Sequence, residues 1–164
     1  MHDDGDDGEY RPDRNRDRDY LAGRVHARLA RVHRLAGETV RCYGEGRYAD
    51  CESLARTLLA TTITDLFDPL TSDEIANWDR HEQWHRGLMA HAWGYLGLSR
   101  FRQNDAPGAV AALRYACLAT PEDFRPWLRL AGVEIRIGRV LAACHHAWRG
   151  VTLAAAVRRG KKEN

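Results

Sequence analysis

Lysine is nearly absent: of 25 basic residues only Lys161 and Lys162 are lysines, and the remaining 23 are arginines. That skew reads as the codon usage of a GC-rich bacterial genome and carries no functional signal. Cysteine is sparse too. Cys42, Cys51, Cys117 and Cys144 show no paired C-x-x-C spacing, which excludes a disulfide frame and a zinc knuckle. No window of about 18 uncharged apolar residues occurs, so no membrane span is expected. The acidic N-terminus lacks the apolar segment of a signal peptide. Period-2 alternation is also missing, so no sheet is expected. These absences leave a cytoplasmic, all-α protein as the expectation.

What is present fits one globular unit. Of 164 residues, 44% are hydrophobic and 29% charged, close to the globular average. The net charge of +2 gives no global reason to expect nucleic acid or membrane binding. It is unevenly spread, because residues 1–19 hold seven Asp and one Glu against four Arg. Residues 1–18 have no apolar periodicity and cannot offset their ordering entropy by burial. They are assigned as a disordered acidic tail, and residues 19–160 as the folded domain.

From Tyr20 the pattern changes. Leu21, Val25, Leu29, Val32 and Ala36 fall at helical spacing, with Arg24, Arg28, Arg31 and Arg34 on the opposing side. The arginine stripe could meet phosphates, but a solvated face explains it more simply. The rest alternates Ala-, Leu- and Arg-rich runs with short breakers at Gly44–Gly46, Asp105–Gly108, Thr120–Asp123 and Gly138. Thr71 and Glu74 have the spacing of a capping box that would open a further helix. Cys51, Cys117 and Cys144 lie among small residues within these runs and are expected to act as small buried hydrophobes.

Several residues recur at an offset of 34: Trp93 with Trp127, Leu96 with Leu130, Gly97 with Ala131, Ala109 with Ala143, and Ala116 with Gly150. A helix–turn–helix unit of this length must stack on neighbours to bury its apolar face. Residues 90–123, through Trp93, Leu96, Gly97, Ala109, Leu113, Ala116 and Pro121, resemble the tetratricopeptide repeat family, with Arg100 where that family has tyrosine. Residues 124–157 resemble a weaker copy. An earlier copy, starting near Val32, is anchored by Gly46, Tyr48 and Cys51, and residues 64–89 form an insertion. The resemblance implies an antiparallel helix-pair stack, an α-solenoid of about three repeats with flanking helices.

The same resemblance implies a non-catalytic adaptor or chaperone that binds a partner polypeptide in a concave groove. Carried over by position, the groove would be lined by Tyr43, His91, Leu98, Phe101, Arg102, Arg125, Leu128, Ile135 and Arg136, with Val40 and Gly94 beside them. The plan of a leading helix, three repeats and a closing helix is also similar to the class II chaperones of type III secretion. Exposed apolar residues in so short a stack add a homodimer to the expectations.

A rival assignment comes from His81-Glu82-Gln83-Trp84-His85, the helical H-E-x-x-H of zinc hydrolases. His81 and His85 would share a face and Glu82 would serve as general base. His91 follows six residues later, but Leu88 stands where the longer form of that motif needs a glycine. On a straight helix His81 and His91 would be about 15 Å apart, too far to share a metal. The expectation is therefore no metal, no cofactor and no enzyme activity, with the zinc hydrolase and an arginine-helix nucleic-acid module as rivals.

Overall fold

The computed structural model describes residues 14–67 and 77–160. Within them lie six helices: α1 (Arg14–Gly44), α2 (Tyr48–Phe67), α3 (Trp78–Arg102), α4 (Ala106–Ala119), α5 (Phe124–Arg136) and α6 (Val140–Gly160). No described residue is in a strand. Each helix packs against the next; in addition α1 touches α3, and α3 touches α5. The even-numbered helices α2, α4 and α6 do not touch one another. First helices in contact and second helices apart define a curved, tetratricopeptide-like stack of three antiparallel pairs, with α1, α3 and α5 on its inner side.

The turns follow from local chemistry. Gly46 and Gly138 sit at φ +77° and +79°, the left-handed region in which a side chain is strained, and so end α1 and α5. Asn104, at φ 66°, does the same after α3. The Asp105 carboxylate accepts the Gly108 amide at 2.9 Å and caps α4, with Pro107 in its first turn. Asp123 accepts the Arg125 amide at 3.0 Å and caps α5.

Two expectations change. The leading helix and the first helix of the first pair are one 31-residue helix, because no proline or left-handed turn separates them. It begins at Arg14, inside the stretch assigned to the tail; residues 1–13 and the capping box at Thr71–Glu74 lie outside the described residues. No separate leading or closing helix exists among the described residues, since α6 is the second helix of the third pair. Part of the insertion is a longer α3, whose Trp84, Leu88 and Met89 pack, as Leu35 and Ala36 of the long α1 do, against the core cluster around Val32, Leu58 and Leu96.

The core has two centres. Val32, Ala55, Leu58, Leu59, Ala92, Leu96 and Ala112 join the first two pairs, and Ala109, Val110, Leu113, Cys117, Trp127, Leu130 and Val133 join the last two. Cys42, Cys51 and Cys117 are buried, but Cys144 is exposed, against the expectation for it. Polar ties fix the register of the layers. Arg100, in place of the family tyrosine, donates to Glu52 of α2 at 3.2 Å, and Gln103 donates to the other Glu52 oxygen at 3.1 Å. Burial pushes the Glu52 carboxyl up, but hydrogen bonds from Arg56, Arg100 and Gln103 override it and hold the group below the usual range. One period later Glu134, fully buried, meets His146 Nδ1 at 2.6 Å.

The pairs close at small residues. A Cβ on Gly97 would lie 2.7 Å from Leu113 Cγ and 3.0 Å from the Ala109 carbonyl oxygen. Alanine there gains about 1 kcal/mol of helix propensity, which would mask part of the clash. Gly97→Val is therefore the cleaner test, and it is expected to cost about 2 kcal/mol in urea denaturation. An unchanged midpoint would mean that the helices have room to part. His146→Ala leaves the Glu134 carboxylate, whose Oε1 already lacks a partner, buried alone. A loss of about 3 kcal/mol is expected, with most of it recovered when Glu134→Leu is added.

Candidate protein-binding groove

The inner side is built from aromatic rings of one layer and arginines of the next. Tyr43 near the end of α1 lies 5.5 Å, centroid to centroid, from both Tyr48 and Tyr95 in edge-on geometry. His91 is 4.8 Å from Tyr95, and its ring is hydrogen-bonded to the Ala36 carbonyl of α1. The Arg102 guanidinium stands 5.9 Å from the centre of the Tyr48 ring and is hydrogen-bonded to Tyr43. From α5, Arg129 stands 5.3 Å over Tyr95, and Arg136 stands 6.0 Å over Phe101. Arg129 reaches its ring because Gly94 has no side chain: a Cβ there would sit 2.9 Å from the arginine's terminal nitrogen.

Cation–π contacts of this kind contribute about 0.5–1 kcal/mol each at exposed sites. They place the guanidinium without neutralising its charge, although Arg102 is also hydrogen-bonded to Tyr43 and Arg136 donates to the Gly132 carbonyl at 3.5 Å. Among the described residues none of Arg102, Arg129 and Arg136 has a carboxylate within salt-bridge distance. Among the described residues the face is therefore cationic and aromatic, with no carboxylate paired to these arginines.

Of the residues expected to line the groove, Tyr43, His91, Phe101, Arg102 and Arg136 come together here. Leu98 is half-buried on α3 between them. Arg125 lies at the start of α5 over its own neighbour Phe124, at 5.8 Å. Leu128 sits at the seam of α5 with α6, where a Cβ on Gly150 would approach its Cδ2 to 2.7 Å. Ile135 is exposed, on the far end of the stack. Tyr95 and Arg129 escaped the sequence reading, yet they occupy one position of the 34-residue register, one residue after Gly94 and Leu128. Tyr48 had been placed only as a repeat anchor.

The histidine pair has its own geometry. His81 and His85 meet at 3.0 Å, Nε2 to Nε2, on an unbroken α3 with His85 buried. Among the described residues no group of three or more His, Cys, Asp or Glu side chains is placed to hold a metal. His91 lies on the same helix and faces the aromatic cluster instead. On α1, Arg24, Arg31 and Arg34 are exposed. No helix among the described residues is long and apolar enough to cross a membrane.

No protein-family model and no curated protein matches the chain, and the plan of separate leading and closing helices, on which the similarity to class II chaperones was based, is not that of the described residues. Among solved structures the chain is similar to the MamA RS-1 ArsTM double mutant, at 12% identity and a TM-score of 0.40 over 76% of each chain. No function is transferred across that distance.

Burial holds His91 below its ordinary value of 6.5, with the Arg129 charge adding to the effect and the Ala36 hydrogen bond opposing it. The folded state therefore binds its proton less readily than the unfolded chain. Stability from this site is complete above pH 6.5 and falls as acid protonates the unfolded state first. Thermal unfolding between pH 7 and pH 5 should show that decline, with a shallower slope in His91→Gln. Equal slopes would remove His91 from the balance.

Proposed function

We propose that the chain is a non-catalytic adaptor or chaperone whose inner face holds an acidic segment of a partner polypeptide. The observation that carries this is the set of three arginines, Arg102, Arg129 and Arg136, each standing over a ring of a neighbouring helix and none paired with a carboxylate among the described residues. Guanidiniums form bidentate hydrogen bonds with planar carboxylates, and Asp or Glu side chains supply them. Tyr43, Tyr95 and Phe101 offer apolar area at low entropic cost to the residues between those acids. The spread of the arginines over α3 and α5 fits a segment that crosses the groove, not a single charged group.

Selection of displayed peptides on the full chain tests the proposal, with counter-selection on an Arg102→Glu, Arg129→Glu, Arg136→Glu variant. Acid-rich sequences should be enriched. Their affinity should fall at least tenfold in the variant and weaken with salt. Peptides without acidic enrichment, or equal binding to both proteins, would overturn it.

A further inference from the structure

The outer end of the stack repeats an interface that no described residue covers. In α4, Val110 and Cys117 are 4% and 2% exposed because α5 packs over them. One period of 34 residues later the same positions on α6 are Cys144 and Val151, and both are exposed, Val151 by 56%. Leu141 and Trp148 extend them into one stripe, 89% and 72% exposed, at the three- and four-residue spacing of a helix-pairing seam. On α5, Ile135 is the counterpart of Phe101, which meets the following layer through Arg136; Ile135 itself is 59% exposed. The end of the third pair is therefore shaped to receive one more helix, in the place that α5 takes on the second pair.

The charge around this seat selects the occupant. Arg139 stands at one end and Arg158 and Arg159 at the other; none is ion-paired among the described residues, and α6 contains no Asp or Glu. A second copy joined through α6 would set Arg158 and Arg159 against Arg139 if antiparallel, or against their own counterparts if parallel. A second copy joined head to tail would bring the exposed Arg31, Arg34 and Arg41 of α1 to the same basic rim. Both arrangements place like charges together.

We infer that the α5–α6 end is a second docking site, separate from the inner groove, for an amphipathic helix of another protein with an apolar stripe and acidic flanks. The occupant continues the stack by one helix, burying Cys144, Trp148 and Val151 as α5 buries Val110 and Cys117.

A fluorescent synthetic helix of about 20 residues, with a leucine stripe and glutamate on both flanks, is the probe. Titrated into the full chain, it should bind, and Val151→Asp or Leu141→Asp should weaken binding at least tenfold. Both positions are exposed, so the variants keep their helix content; Trp148→Ser is a milder third. Arg158→Glu with Arg159→Glu should weaken the glutamate probe and favour a lysine-flanked one. The groove variant Arg102→Glu should leave the titration unchanged, so this site and the inner groove succeed or fail separately. No binding of the glutamate probe, or equal binding by all variants, would overturn the inference. So would a dimer in sedimentation velocity that Val151→Asp abolishes, which would make a second copy the occupant. Binding to phosphatidylserine vesicles that Trp148→Ser abolishes, without binding of the probe, would assign the stripe to a lipid surface and overturn it too.

Discussion

The close approach of the two helices within the second and third pairs governs much else in this molecule. At Gly97 the backbone of α3 meets Ala109 and Leu113 with no room for a methyl group, and at Gly150 the same happens against Leu128. Backbones this close leave the larger side chains, Trp93, Leu96, Trp127 and Leu130, to fill the space beside the crossing. They also fix the angle at which one pair presents itself to the next. Curvature follows from that angle: α1, α3 and α5 touch in series while α2, α4 and α6 splay. A concave side exists only because the crossings are tight.

On this frame the polar residues have divided duties. Arg100 and Glu134 hold the same register position in successive layers, where the repeat family keeps an aromatic ring. One ties α3 to Glu52 of α2, and the other ties α5 to His146 of α6. Such pairs, half-buried at Arg100 and Glu52 and buried at Glu134, contribute little net free energy but penalise any slip that would separate them. The arginines of the groove are different in kind. They rest on rings and meet no carboxylate among the described residues, which leaves the inner face positively charged while Arg100 and Glu134 are paired with neighbouring helices.

Much of this was legible in the chain. The 34-residue recurrence of Trp, Leu and small residues located α3 to α6, and Asp105, Pro107 and Gly138 marked their ends. Of the proposed inner-face residues, Tyr43, His91, Phe101, Arg102 and Arg136 could be named directly from the register. Tyr95 and Arg129 could not be named so, because the family pattern specifies nothing at their shared register position and their meeting depends on the missing side chain of Gly94, a contact across layers. Leu128 stays partly exposed at the seam of α5 with α6, beside the space that the missing Gly150 side chain leaves, and periodicity alone does not reveal which neighbour a residue leans on. The continuity of α1 was hidden because sequence similarity marks where a repeat begins, whereas a helix ends only where the backbone is given a reason to turn.

The four cysteines are distributed unequally between interior and surface, and this makes the protein chemically addressable. Cys42, Cys51 and Cys117 are enclosed, and burial pushes the Cys117 thiol up to about 12, so it stays protonated at neutral pH. Cys144 alone of the four faces solvent, on the terminal layer. A mild alkylating dye would therefore mark one defined point on the native molecule, without any engineered residue, and would report from the end of the stack and not from its concave side.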